Sequence, residues 1–273
     1  MRTVVRTIVM LIAVLGTAAP VIADVSEDSR LMLEEGQRLF QEASNTEEEA
    51  VAQDLYRKAL DRFEYVVEAD DVHNGRLFYN MANGYYRLGE IGRAVLYYRR
   101  AELLRPADAN VRHNLSEARS QRLDRLPTPQ EASLSRALFF WHYLISARAR
   151  VYVFAAAFAG AWVLAGVYLL RRRRRFFTGA LVAAAVAVLF FASIAAHGVA
   201  LSRADEGVIT VEEVTARKGD GIAYQSSFVD PLHAGTEFRV IERRADWYHI
   251  ELTDGRRTWI PADAATLIGP LAP

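Results

Sequence analysis

The sequence has no cysteine among its 273 residues. That absence excludes disulfides, thiolate metal sites and cysteine nucleophiles together. It leaves the compartment open, because an exported protein with hydrophobic cores of its own needs no disulfides. Net charge is lacking too: 33 basic and 33 acidic residues cancel. Bulk electrostatics therefore give no reason to expect nucleic-acid binding. Catalytic signatures are also missing. There is no phosphate-cradling glycine loop ending in Lys-Ser or Lys-Thr, and Gly219-Asp220-Gly221 lacks a third glycine and reads as a turn. There is no Gly-x-Ser-x-Gly elbow. Histidines 73, 113, 142, 197, 233 and 249 include no pair at helical metal spacing. Asn114-Leu115-Ser116 fits a glycosylation sequon but falls inside a predicted helix. These absences argue for a non-enzyme with no cofactor and no metal.

What is present is hydrophobic and unevenly spread. Of all residues 52% are hydrophobic, and the excess over a soluble domain lies in the first 23 positions and between Val151 and Leu201. Residues 1–23 read as a secretory signal: Arg2 and Arg6 start it, Ile8 to Leu15 are apolar, and Val21-Ile22-Ala23 ends on the small residue that cleavage requires. Residue 24 onward is then expected outside the cytoplasm, cleaved or not.

Residues 24–125 read as successive helices. Leu55, Ala59, Leu60, Phe63 and Val66 fall at helical spacing. Ala59, Phe63 and Val66 recur 35 residues later as Ala94, Tyr98 and Ala101. The stretch FYNMANGYYRLGEIGRAVLYYRRAELLRP, Phe78 to Pro106, resembles a tetratricopeptide repeat, a helix pair of about this period. Small Ala94 and Ala101 let two antiparallel helices approach, Tyr85 and Tyr98 fill the gap, and Pro106 ends the second helix. An earlier repeat is expected over about 29–70 and a capping helix from Val111 to Leu123. The resemblance places Tyr79, Asn83, Tyr86 and Arg87 on the concave, ligand-facing side, where they would supply aromatic faces, an amide and a cation.

Residues 126–150 read as a linker and an interfacial helix. Leu126-Pro127-Thr128-Pro129 bars a helix, and the apolar run Ala137–Ile145 is too short to span a bilayer. It carries Phe139, Phe140, Trp141 and Tyr143, aromatics suited to the headgroup region. Two spans follow, 151–170 and 176–201, uncharged apart from His197. Between them stand Arg171, Arg172, Arg173, Arg174 and Arg175. Each arginine costs ~2.5–3.5 kcal/mol at bilayer depth and five ~12–18 kcal/mol, so the run belongs in a turn. Positive residues in so short a loop predict a cytoplasmic side, with lipid contact as a second role. Two crossings return the chain to the side it left.

From 204 to 273 the pattern alternates. Val208–Val211, Phe238–Ile241 and Trp247–Leu252 read as strands, with Tyr248, Ile250 and Leu252 on one face and an Asp254-Gly255 turn after them. HAGTEFRVIERRADWYHIELTDGRRTWIPADAATLI resembles a bacterial SH3-like (SH3b) domain, with Thr258-Trp259 where that family usually has Gly-Trp. Trp247 and Trp259 are the aromatic candidates for a peptide or glycan groove there, with core packing the competing role for Trp259.

The expected fold class is thus a multidomain membrane protein: an α-helical repeat solenoid, a two-helix transmembrane hairpin and a small all-β barrel. The order of parts resembles the BatE-type proteins of the Bat aerotolerance group. That resemblance implies work beside membrane-bound von Willebrand factor A-domain proteins and, indirectly, a MoxR-type ATPase, in a system tied to envelope integrity or stress. The function expected is a scaffold assembling envelope or membrane proteins from the bacterial inner membrane, with both soluble modules outside the cytoplasm. The alternative is a cell-wall sensor whose SH3-like module binds peptidoglycan.

Overall fold

The computed structural model describes residues 26–124, 126, 145, 147–202 and 205–269. The expected signal segment 1–23, most of the expected linker and interfacial helix 126–150, and the aromatics Phe139 to Tyr143 lie outside the described residues. The chain divides into two compact units, Met1–Val72 and His73–Pro273. The division falls inside the stretch 24–125, between its second and third helices.

The first unit is a helix pair, α1 (Glu27–Asn45) and α2 (Glu49–Asp70). Ser26 caps α1 by accepting the Ser29 amide proton, and Glu27 and Asp28 in the first turn suit the positive end of the helix. The two helices pack through Leu39, Ala43, Leu55, Tyr56, Ala59, Leu60 and Phe63. Gly36 permits the closest approach: a Cβ there would stand 2.6 Å from the Phe63 ring. Asp70 closes the pair by accepting from the Ser26 amide at 2.8 Å and its hydroxyl at 2.9 Å.

The second unit begins with α3 (Gly75–Arg87), α4 (Ile91–Leu104) and α5 (Ala109–Ser120). Asn74 and Asp108 cap α3 and α5 through their side-chain oxygens. Gly89, at φ 77°, makes the turn from α3 to α4. Ala94 and Ala101 are fully buried in α4, and Tyr85 and Tyr98 fill the space beside them.

Next come α6 (Ala147–Arg171) and α7 (Arg174–Ser202), each long and apolar enough to cross a membrane and packed on the other. The sequence predicts that the arginine run forms the whole turn. Only Arg172 and Arg173 do so, because Arg171 completes α6 and Arg174 and Arg175 open α7. Arg172 reverses the chain in the left-handed region, at φ 53°. All five arginines are exposed. Trp162, Leu169, Leu170, Leu181 and Val188 on these helices are exposed as well, as suits side chains covered by lipid rather than by protein.

The remainder is a small antiparallel β module. A five-stranded sheet has the order β6-β5-β4-β1-β7, built from β1 (Glu206–Ile209), β4 (Glu237–Arg244), β5 (Trp247–Leu252), β6 (Arg257–Pro261) and β7 (Ala265–Leu267). Beside it, β2 (Glu213–Val214) pairs with β3 (Leu232–His233). A bulge between Val240 and Glu242 bends β4. Gly255, at φ 85°, turns β5 into β6, and a 3-10 turn, Ala262–Ala264, precedes β7. Ile209, Phe238, Val240, Ile250, Leu252 and Ile260 form the core.

This β module rests on α4 and α5. Gly92 lies where a Cβ would meet the Ile209 carbonyl oxygen at 2.8 Å and the Thr210 Cα at 3.1 Å. Arg100 donates to the carbonyls of Leu267 and Ile268 at 2.9 and 3.2 Å. The helix thereby satisfies backbone groups at the end of the outer strand β7.

Candidate functional site

The strongest polar constellation on the helices surrounds the Tyr98 hydroxyl of α4. Packing of α3, α4 and α5 places three side chains at hydrogen-bond distance from one another. Tyr98 donates to Asn83 Oδ1 at 2.5 Å, and Asn114 Nδ2 donates to both Asn83 Oδ1 and the Tyr79 hydroxyl, each at 3.0 Å. Tyr79 also lies against Tyr98 with ring centroids 6.0 Å apart. Burial raises the Tyr98 phenol well above its ordinary range, outweighing the Asn114 hydrogen bond, with smaller upward contributions from Tyr79 and Tyr86 and a downward one from Arg87. Tyr98 stays protonated and gives its proton to Asn83 Oδ1.

That direction determines what the site offers. Asn83 Oδ1 accepts twice, so the amide's polarity is set with its carbonyl inward. Asn114 spends its two amide protons inside the cluster, and Tyr79 accepts one of them. Among the described residues, the Asn83 amide protons and the Tyr79 hydroxyl proton have no protein acceptor. Tyr79, Asn83, Tyr86 and Asn114 are half-buried, and Arg87 is exposed. The result is a donor-rich patch with an adjacent cation. It is built on three helices and so held by packing rather than by loops.

All four residues expected on the concave side, Tyr79, Asn83, Tyr86 and Arg87, thus lie around one hydroxyl. Two members escape a reading of the sequence. Tyr98 reads as a packing tyrosine at its repeat position, and Asn114 draws notice only as part of a sequon. Asn114 is 31 positions from Asn83, so only helix packing makes them neighbours.

On the β module, Trp259 is nearly buried, with its ring stacked on His249 at 4.7 Å between centroids and 7° between planes. The Arg244 guanidinium lies 5.1 Å from the same ring. Trp247 is half-buried, opposite Arg244 in the β4–β5 ladder and Pro261 in the β5–β6 ladder. The two tryptophans share one face of neighbouring strands, but only Trp247 keeps substantial exposure.

A third constellation joins helices to strands. Glu237 on β4 meets Arg99, Arg119 and Arg122, with nitrogen–oxygen distances of 3.1, 2.8 and 3.3 Å. Arg99 also pairs with Glu206 and Glu102, both at 2.6 Å. Burial alone would raise the Glu237 carboxyl, but the three arginines outweigh it and hold the group below its usual range. Just beyond α5, Asp124 accepts from the His233 amide at 2.7 Å and the Thr236 hydroxyl at 2.6 Å, with His233 Nδ1 at 2.9 Å. These bonds likewise overcome burial and keep the Asp124 carboxyl low. The residues pair with one another across helices and strands, so the cluster reads as a joint between them. Among the described residues, no three His, Asp or Glu side chains are grouped to hold a metal ion.

No protein-family model matches this sequence, and no curated protein matches it.

Proposed function

We propose that this chain is a membrane-anchored, non-enzymatic scaffold. On this reading its helical part is a short tetratricopeptide-type solenoid and its β module is SH3-like, in an order resembling the BatE-type proteins. The observation that carries the proposal is the oriented cluster Tyr98–Asn83–Asn114–Tyr79 beside Tyr86 and Arg87. Donors with a neighbouring cation favour a partner segment rich in acceptors, such as an acidic stretch of polypeptide. Half-burial of the donors makes such bonds worth more than they would be in open water.

In this proposal α6 and α7 form a two-span hairpin whose arginine turn is cytoplasmic. The docking of the β module on α4 and α5 supports placing both modules on one side of the bilayer, since groups that share ion pairs cannot be divided by a membrane. Partners are then envelope or membrane proteins, with von Willebrand factor A-domain proteins as candidates and a MoxR-type ATPase coupled only through other membrane subunits. The burial of Trp259 beneath His249 and Arg244 leaves half-buried Trp247 as the aromatic candidate for the alternative, a peptidoglycan-sensing groove.

A photoreactive amino acid in place of Tyr86, in native membranes, tests the scaffold. Adducts with specific membrane or envelope proteins are expected, and they should be lost when Asn83→Asp is combined with the label. Adducts that survive Asn83→Asp unchanged would refute the site. Reporter fusions at the arginine turn and the C-terminus should read inside and outside respectively; an inside signal at the C-terminus would refute the topology.

A further inference from the structure

The pair α6 and α7 carries a groove along one face. Rings bridge the two helices near each end of it. Phe154 meets Phe191 with centroids 5.9 Å apart, and Tyr168 meets Phe177 at 5.3 Å. Between these bridges the level positions are alanines: Ala161 with Ala184, and Ala165 with Ala180, each pair equally far along its helix from the ring pairs. Methyl groups do not fill the depth that the rings span, and a cleft of about 720 Å³ remains. Its lining is entirely apolar or aromatic, and Trp162, 64% exposed, stands on one wall. At about 1.5 Å per residue, Phe154 to Tyr168 covers ~21 Å. One leaflet supplies only ~15 Å of a bilayer's hydrocarbon core, so the groove can hold the full depth of an acyl chain.

One end of this groove opens at the arginine turn. Arg171 stands three residues beyond Tyr168 on α6, and Arg174 stands three before Phe177 on α7. Residues three apart on a helix share a face. Both arginines therefore lie one turn beyond the last ring bridge, at the mouth of the groove, while Arg172 and Arg173 make the turn itself. The hairpin holds no charge to match them: the sequence has no Asp or Glu between Glu131 and Asp205, and Asp205 follows the far end of α7. Their counter-charge must come from another molecule.

An apolar groove that ends at two unmatched arginines suits a molecule with an acyl chain and an anionic head. We propose that it binds an anionic phospholipid, its chain over the alanine floor and its phosphate between Arg171 and Arg174. The site depends on α6 and α7 spanning the membrane. Guanidinium groups bind phosphate through charge-assisted, paired hydrogen bonds, and basic clusters beside transmembrane helices draw anionic headgroups. A third helix could use the alanine floor, but an apolar helix would leave the arginines unmatched. The arginine run then serves as half of a lipid site as well as a topology signal.

Trp162 reports occupancy. The full chain is reconstituted in phosphatidylcholine nanodiscs in which a minor fraction of the lipid is phosphatidylglycerol or phosphatidylcholine, each with the same brominated acyl chains. Subtracting the emission of Trp162→Phe isolates the one ring. Quenching should be at least threefold stronger with the brominated phosphatidylglycerol. Arg171→Gln with Arg174→Gln should remove that preference. Arg172→Gln with Arg173→Gln, an equal loss of charge, should leave most of it. Equal quenching by the two headgroups, or equal loss in the two double variants, overturns the proposal. So does a disulfide between two copies carrying Ala184→Cys, which would seat a second copy in the groove. Failure of both brominated lipids to quench Trp162 refutes the membrane hairpin itself, whereas quenching without headgroup preference refutes only the lipid site.

Discussion

The Glu237 carboxylate accepts from both Nε and Nη2 of Arg119, at 2.9 and 2.8 Å, across 118 positions of sequence. This bidentate pair joins the end of the helical part to the middle of the β sheet. Arg99 and Arg122 crowd the same carboxylate, and Glu206 and Glu102 balance Arg99. Buried ion pairs contribute little net stability against apolar replacements, but removing one partner is costly because the others remain charged. The joint therefore specifies how helices and sheet dock more than it adds to stability.

Glu237→Gln should be the most damaging conservative change in the chain. It keeps the shape and leaves three arginines without their carboxylate, at a cost of about 3–5 kcal/mol. Hydrogen exchange of the β1 and β4 amides should accelerate at least a hundredfold. Unchanged protection would show that the joint is dispensable.

Gly92→Val should separate the same two parts sterically. Its Cβ would press on the Ile209 carbonyl and the Thr210 backbone, neither of which is a flexible side-chain end. Overpacking of this kind costs about 1–3 kcal/mol. Gly160→Ala, with nothing within 4 Å of the added carbon, should be near neutral or slightly stabilising. Urea unfolding in detergent, compared by midpoint, distinguishes the two.

Asp124→Ala leaves the His233 amide and the Thr236 hydroxyl without their acceptor, about 1–3 kcal/mol for each buried group left unpaired. Exchange at the His233 amide should rise at least tenfold. The pH dependence follows from the same contacts. Asp124 and Glu237 both have carboxyls depressed by folding. Their contribution is complete above the ordinary carboxylate values of about 4 and is lost as pH falls through the depressed folded values. Docking of helices on sheet should thus be constant from about pH 8 to 5 and weaken only in stronger acid. A transition near neutrality, followed by the same exchange measurement, would contradict this.

At the helical site, Tyr98→Phe keeps the ring and removes the proton given to Asn83, costing about 1 kcal/mol of stability. Without that hydroxyl only Asn114 still holds the Asn83 carbonyl inward, so the amide is less firmly oriented and partner crosslinking at position 86 should fall several-fold. Asn83→Asp should abolish it, because a carboxylate replaces donors in front of an acceptor-rich partner. Equal crosslinking in both variants would show that the network's direction is irrelevant to binding.

The elements were legible wherever one local pattern ruled. Ala94, Tyr98 and Ala101 fall on the buried face that their recurrence predicts, and the alternation of Tyr248, Ile250 and Leu252 gives the inward face of β5. The extent of the arginine turn was not legible. Five consecutive arginines mark where the apolar segment must break, yet helix geometry can absorb those at either end, and the sequence does not say that Arg172 takes the left-handed conformation. Trp259 was ambiguous for a related reason. Alternation assigns it to the outer face of β6, but its burial depends on His249 and Arg244, which two other strands deliver.

By itself the sequence determined the local matters: which stretches are helical, which are long and apolar enough to cross a bilayer, and where short strands alternate. Periodicity and transfer energy act over neighbouring residues, so they are written along the chain itself. The absence of cysteine likewise removed thiol and disulfide chemistry by composition alone. Tertiary structure alone decided that Asn83, Tyr98 and Asn114 share one hydrogen-bond network. It alone decided that Glu237 draws Arg99, Arg119 and Arg122 together. A charge or amide carries no periodic sign of its partner. Its meaning is set only when packing brings distant segments to within about 3 Å and removes the water that would otherwise satisfy it.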